Sequence, residues 1–292
     1  MTNKYPGSDF PQKLPPQKQE KQPGMNNLMN PKPIYESEGY VSERKLKGKV
    51  AIITGGDSGI GRAVAMAYAK EGANVAIVFL DEVEDAEEVK TNIEKIGGQC
   101  ILIPGDISDE DFCINAIQKT IEKFKGLDIV VNNSAIQYPQ NSIEDITKEQ
   151  LEKTFKTNIF SMFYLTKAAL KYLKEGSSII NTASITAYAG SKALIDYSST
   201  KGAIVSFTRS LALSLVARKI RVNGVAPGPI WTPLIPASFD EVKVSEFGTD
   251  VPLGRPGQPV ELAGAYVFLA SADASYMTGQ VIHINGGVII NG

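Results

Sequence analysis

Histidine and cysteine are almost missing from this chain: one histidine, His283, and two cysteines, Cys100 and Cys113, in 292 residues. So few ligands leave almost no room for a Cys/His zinc site, and a Ser-His-Asp triad is open only if His283 serves it. Two cysteines in so long a chain suit a reducing cytosol better than a disulfide scaffold. Long apolar runs are missing too. None approaches the ~18 residues that a transmembrane helix needs, and the N-terminal MTNKYPGSDFPQKLPP has no apolar stretch of the leader type. Charge of one sign is not in excess: the formal net charge is −2. That balance argues against a nucleic-acid footprint or a basic membrane-binding face. The expectation is a cytoplasmic protein with neither nucleic acid nor membrane as partner, and with no metal.

What is present divides near residue 47. Residues 1–47 hold 7 of the 16 prolines and only Phe10, Leu14, Leu28, Ile34, Val41 and Leu46 as strong apolar residues. A segment this poor in apolar side chains cannot offset its own ordering entropy. It reads as an extension, disordered or draped on the surface, with an oligomer-stabilising arm as the other reading. From residue 48 to 292 the pattern is that of one domain. The segments KVAIITGG, NVAIVFL, QCILIPGD, LDIVVNNSA, SSIINTAS, IRVNGVAPG and GQVIHING read as strands. Between them lie segments of helical spacing, among them GIGRAVAMAYAKEG and a long helix over KEQLEKTFKTNIFSMFYLTKAALKYLKEG. Strict alternation with continuous apolar strands calls for an α/β fold: a doubly wound, Rossmann-type parallel sheet of about seven strands with helices on both faces.

The first strand runs into Thr54-Gly55-Gly56-Asp57-Ser58-Gly59-Ile60-Gly61, a TGxxxGxG pattern between strand and helix. Gly55 allows the tight turn, Gly59 lets the backbone approach a pyrophosphate, and Gly61 lets helix and sheet pack closely. The helix N-terminus offers free N–H groups to phosphates. Alone such a turn is a Gly-rich connector; in this context it reads as a dinucleotide site. Asn133, Ser134 and Ala135 end the fourth strand with small residues that permit a cofactor to approach. Asp106, after the third strand, either accepts from an adenine amine or caps the following helix. The choice between NAD and NADP falls at Phe79-Leu80-Asp81-Glu82, where a 2′-phosphate needs a cation. Neither this turn nor the glycine loop has Lys or Arg before Arg62, and Asp57, Asp81 and Glu82 repel phosphate. NAD(H) is therefore expected, with Asp81 as the ribose partner.

Four further residues stand out: Asn158 in the long helix, Ser184 ending the fifth strand, and Tyr197 with Lys201 one helical turn apart. An ammonium beside a phenol favours the phenolate and lowers the tyrosine pKa from ~10. Such a set suits carbonyl/alcohol interconversion: Tyr197 moves the hydroxyl proton, Ser184 holds the carbonyl oxygen, and Lys201 tunes the tyrosine and binds the nicotinamide ribose. Asn158 would bend its helix and hold a water for proton relay. Each residue alone has an ordinary structural reading; the conjunction, in this order after TGxxxGxG, does not.

On TGGDSGIG, the NNSA loop, Asn158, Ser184, YSSTK from Tyr197 to Lys201, and Pro227-Gly228, residues 46–292 resemble the short-chain dehydrogenase/reductase family. The resemblance implies that Asn158, Ser184, Tyr197 and Lys201 form a catalytic tetrad. It implies that Asp106 and Ile107 flank the adenine and that Asn133 to Ala135 line the nucleotide cleft. Pro227, Gly228, Ile230 and Thr232 then look like nicotinamide contacts. The implied cofactor set also takes in Ser58, Ile60, Leu80 and Thr182. The family's usual NNAG reads NNSA here, and Ala135 in place of glycine narrows the loop slightly. The Pro-rich extension resembles that of bacterial stress-associated members related to glucose and ribitol dehydrogenases. A homotetramer is implied by the same resemblance.

Substrate choice falls to residues 136–138, 185–188 and a loop-rich insertion at 231–255, read as a mobile lid in which Trp231 is either an anchor or plain packing. The first two segments carry no charge, which favours a small neutral ketone, aldehyde or sugar-like alcohol. The alternatives are an NADPH-dependent ketoreductase of acyl thioesters and a nucleotide sensor without turnover. His283 reads as a structural side chain of the last strand.

Overall fold

The computed structural model describes residues 7, 9–37 and 39–290; the remainder of the extension and the last two residues lie outside the described set. In chain order, β1 (Val50–Thr54) leads to α1 (Gly59–Lys70), β2 (Asn74–Phe79) to α2 (Val83–Lys95), and β3 (Cys100–Pro104) to α3 (Glu110–Phe124). After β4 (Ile129–Asn132) come α4 (Lys148–Phe155) and α5 (Ser161–Ala169), joined by a π-helical stretch at Lys156–Phe160. The chain continues through β5 (Ser178–Thr182), the short α6 (Thr186–Ala189), α7 (Ile195–Leu215), β6 (Arg221–Pro227), α8 (Glu241–Glu246), α9 (Val260–Ala270) and β7 (Val281–Ile284).

The seven strands form one parallel sheet in the order β3-β2-β1-β4-β5-β6-β7. The order reverses between β1 and β4, so the chain leaves these neighbouring strands toward opposite sides and opens a crevice at their carboxyl ends. Strand side chains alternate between two cores. Ile53, Ile77, Val131 and Ile180 join Val64 and Tyr68 of α1 and Leu262 of α9 on one face. On the other, Ile52, Val78, Val130 and Ile179 meet Ile117 of α3, Leu165 of α5 and Leu215 of α7. Each fully buried Ile or Val contributes about 1.5–3 kcal/mol of transfer free energy, which fixes strand register against slippage. This is the expected doubly wound fold. The expected long helix differs in detail: it widens by a π turn at Asn158 and ends at Ala169.

The N-terminal extension crosses the mouth of the crevice. Leu14 and Met29 are buried against Trp231, Ile235 and Val244 of the 231–255 insertion. The Trp231 indole N–H donates to Pro31 O at 2.8 Å, and Gln19 N donates to Pro236 O at 2.7 Å. Further on, Ile34 bonds Gln258 Oε1 and accepts from Val260 N, and Leu46 N donates to Glu71 O. The inner face of the insertion is therefore packed, with Trp231 fully buried as the anchor between insertion and extension.

Candidate active site

Backbone turns at the carboxyl ends of the strands build one cavity of about 960 Å³. Its lining takes in Gly55, Asp57, Ser58, Gly59 and Ile60 from the first turn, Leu80 after β2, and Asp106 and Ile107 after β3. It continues through Asn133, Ser134 and Ala135 after β4, Thr182 and Ser184 from β5 and its end, and Tyr197 and Lys201 from α7. Pro227 at the end of β6 and Gly228, Ile230 and Thr232 after it also line it. Three residues of the expected set lie outside the lining: Gly61, Asp81 and Asn158.

Gly55 has φ +63°, a conformation that side-chain-bearing residues rarely adopt. Gly61 serves packing beneath the turn: a Cβ there would lie 1.8 Å from Gly55 O. Ser58 makes no side-chain cap, so the first-turn N–H groups of α1 remain open to an anion. Thr54 ties this turn to the β4 loop, its Oγ1 accepting from Asn133 N at 2.9 Å and Ser134 N at 3.1 Å. The Asn133 amide in turn donates to Thr54 O. Asp106 accepts from Ser108 N at 2.8 Å, while Asp109 caps α3.

At the ribose end the arrangement differs from the expected one. Asp81 stands on the rim, its side chain half exposed and paired with Lys21 of the extension. Glu82, next in sequence, is buried and faces the cavity, with Oε1 lacking any partner. Burial pushes its carboxyl up to about 7, helped by the nearby Asp57 charge; burial likewise pushes Asp57 up to about 6. Arg62 does not line the cavity: it is buried and bonded to Asp57 O, Asp85 O and Glu88.

At the other end, Lys201 Nζ donates to Thr182 O at 2.8 Å and lies 5.3 Å from the Tyr197 ring centroid. Burial, with no charged partner nearby, lowers the Lys201 pKa to about 7 and raises that of Tyr197 to about 12, a hydrogen bond from Ser184 opposing the rise. The expected depression of the tyrosine is thus absent: desolvation outweighs the neighbouring amine, which is itself driven toward neutrality. Ser184 Oγ accepts from Thr186 N and Oγ1, both at 3.1 Å, and its own proton is directed to the Tyr197 oxygen. Asn158 sits behind the wall. Its Oδ1 accepts from Ile136 N at 2.8 Å, and its Nδ2 donates to Ile136 O and Thr200 Oγ1. Both ends of its amide are engaged by protein groups, and the π turn brings them there.

Two residues with no local mark in the sequence also stand at the cavity wall. Tyr266 of α9, fully buried, places its hydroxyl 2.7 Å from Thr182 Oγ1, which also donates to Asn133 Oδ1. Gln22 of the extension clamps Gln137, donating to its carbonyl at 2.7 Å and accepting from its N–H at 3.2 Å. Gln22, Pro23 and Gly24 are themselves part of the lining. His283 is not; it lies on β7, edge-on to Tyr188 with ring centroids 4.5 Å apart. The glycine turn, the open α1 N-terminus and the unpartnered Glu82 oxygen fit a nicotinamide dinucleotide laid across the crevice.

The enoyl-(acyl carrier protein) reductase family model matches residues 55–289. An uncharacterized oxidoreductase of Bacillus subtilis, YhdF, is 65% identical over 276 residues, 94% of this chain and 96% of its own. The glucose and ribitol dehydrogenase of Daucus carota is 52% identical over 285 residues, 96% of this chain and 98% of its own. A short-chain dehydrogenase from Burkholderia cenocepacia, solved in complex with NADP, superposes with a TM-score of 0.79 at 32% identity, over 83% of this chain and 98% of that one. The chain belongs to the short-chain dehydrogenase/reductase family and is an oxidoreductase of that family.

Proposed function

We propose that this family member is an NAD(H)-dependent oxidoreductase interconverting a small neutral ketone or aldehyde, sugar-like compounds included, with the matching alcohol. The observation that carries the reading is one cavity with the glycine turn at one end and Ser184, Tyr197 and Lys201 at the other. A bound nicotinamide supplies or takes up the hydride. Tyr197 gives the proton to the substrate oxygen in reduction and takes it back in oxidation. With substrate bound, the Ser184 hydroxyl, its oxygen accepting from Thr186, turns its proton from Tyr197 to that same oxygen. Lys201, when protonated, favours the phenolate, and in a closed cleft little water screens this. Asn158 and Gln22 hold the backbone of Ile136 and Gln137 beside the reacting groups.

For the cofactor, Asp57 and Glu82 at the ribose end offer a 2′-phosphate no cation and oppose it wherever they are ionised, which supports NAD(H). The other reading, NADP(H), draws on the NADP of the Burkholderia relative and on Lys21 at the rim. For the substrate, the cationic Lys153 and Lys243 in the lining are matched by Glu246 and Asp250, a mixed field that favours a neutral compound. We also propose a homotetramer, on the exposed Phe160, Phe163 and Leu213 of the α4–α5 and α7 surface. A cytoplasmic setting is supported by the free, buried Cys100 and Cys113.

Titration of the purified protein with NADH and NADPH, followed by fluorescence, tests the cofactor. NADH binding at least about tenfold tighter supports the reading; tighter NADPH overturns it and promotes the ketoreductase alternative. Turnover of anionic carbonyls with none of neutral ones would sink the substrate assignment.

A further inference from the structure

The extension reaches the cleft as a strap anchored on both sides. Toward the substrate end, Leu14 and Met29 are buried on Trp231. In the middle, Gln22 clamps Gln137 through both atoms of its amide. Toward the ribose end, Asn26 N donates to the buried Asp85 at 2.5 Å. Between these anchors the strap has little freedom, so Lys21 is delivered to one place: the rim of the turn after β2, on the Asp81 carboxylate.

That turn is where a doubly wound fold meets the adenosine ribose. The carboxyls of Asp57, Asp81, Glu82 and Asp85 gather there. Arg62, a cation near them, is buried and engaged by Asp57 O, Asp85 O and Glu88. The Lys21 ammonium is two-thirds exposed and sits on a flexible stem, so it can turn from a carboxylate to a phosphate at small cost.

We propose that Lys21, carried by the N-terminal strap, is the cation that sets how far this protein tolerates a ribose 2′-phosphate. Cofactor selectivity is then decided jointly by the turn after β2 and by a segment some sixty residues upstream of it. With a free 2′-hydroxyl, Lys21 stays on Asp81; with a 2′-phosphate, it moves to the phosphate and offsets part of the repulsion from the ionised carboxyls of the turn. The inference rests on the cleft taking a nicotinamide dinucleotide, and not on which of the two is preferred.

The test is calorimetric titration of the full chain and of Lys21→Ala, Lys21→Arg and Asp81→Asn with NADH, NADPH, 5′-AMP and adenosine 2′,5′-bisphosphate. Lys21→Ala should weaken NADPH and the bisphosphate about tenfold while NADH and 5′-AMP stay within about twofold. Lys21→Arg should preserve the parent pattern, and Asp81→Asn should tighten NADPH severalfold. An equal loss for both dinucleotides in Lys21→Ala, or no change in NADPH, overturns the proposal; so does weaker NADPH in Asp81→Asn, or failure of the parent to bind either dinucleotide. The parent NADH/NADPH ratio decides the NAD(H) reading separately, because the Lys21 effect is the change in that ratio and can appear whichever cofactor is tighter.

Discussion

The floor and the roof of the cavity are built by different physics. The floor is made of strand ends and the turns after them, and its geometry follows from backbone constraints: a positive φ at Gly55, a glycine at Gly61 with no room for a Cβ, Thr54 bridging two turns. The roof is made of the N-terminal strap and the 231–255 insertion, two segments poor in regular structure that are ordered by each other. Leu14 and Met29 complete a small core around Trp231 that neither segment holds alone. A floor of this kind fixes reacting groups to fractions of an ångström; a roof of this kind can shift with modest energy and so suits selectivity and access.

The largest expected effect lies in the floor. Tyr197→Phe should lower turnover by on the order of 10³-fold or more, since it removes the group that moves the proton. Cofactor affinity should stay within about twofold, because the glycine turn is untouched. Steady-state kinetics beside a binding titration separates the two quantities. Parallel loss of both would mean that the phenol holds the cleft together rather than serving the reaction. An unchanged response would favour the sensor alternative.

Next comes the floor's scaffold. Gly61→Ala puts a methyl group 1.8 Å from Gly55 O, a backbone atom that can move only by reshaping the turn. Cofactor affinity should fall by ~10² and stability by ~1–3 kcal/mol, measured by titration and thermal melting. Trp231 emission should stay as in the parent, because the roof does not rest on this glycine. A shift in emission would show that floor and roof are one unit.

This division also marks what the sequence reveals. The floor is legible because its determinants are local: strand-helix alternation places Gly55, Asn133, Ser184 and Pro227 at strand ends, and the i, i+4 spacing puts Tyr197 and Lys201 on one face of α7. The roof is not, because its contacts join residues some two hundred positions apart, as in Trp231 and Pro31. Nothing local marks Met29 as buried, while Leu28 beside it is exposed. The same limit applies to charge. Spacing brings Lys201 near Tyr197 but does not report burial, and burial reverses the expected sign of the tyrosine shift. At the ribose end, position along the turn points to Asp81, whereas the fold turns Glu82 inward and pairs Asp81 with Lys21.

A third prediction breaks the roof alone. Met29→Asp places a carboxyl in the small core under Trp231, where Met29 is only 3% exposed. Burying an unpaired charge there is expected to cost a few kcal/mol locally, about 2–3, and the strap should detach instead of paying it in full. Because Trp231 is the chain's one tryptophan, its emission reports the event directly and should move to longer wavelength. The melting temperature should fall by only a few degrees, since both main cores remain intact. Unchanged emission with a lowered melting temperature would mean that the insertion stays packed without the strap.

The smallest effect concerns what the floor gives up to hold a lysine without a charged partner. Lys201 titrates near 10.5 in the unfolded chain and near 7 in the folded one, burial being the cause. Between these values the unfolded state binds more protons, so this lysine's penalty is full below pH 7 and fades as pH rises toward 10.5. Lys201→Met, of similar length and uncharged, removes that penalty. The variant should therefore melt higher than the parent at pH 6, by a few degrees, and the gap should close toward pH 10. Turnover should be lost at both pH values, since the methionine has no charge to favour the phenolate. A gap that widens with pH would mean that the buried lysine is stabilising, and that a group facing it holds the ammonium charged. A higher melting point bought with lost turnover would place Lys201 among residues retained for chemistry against the interest of the fold.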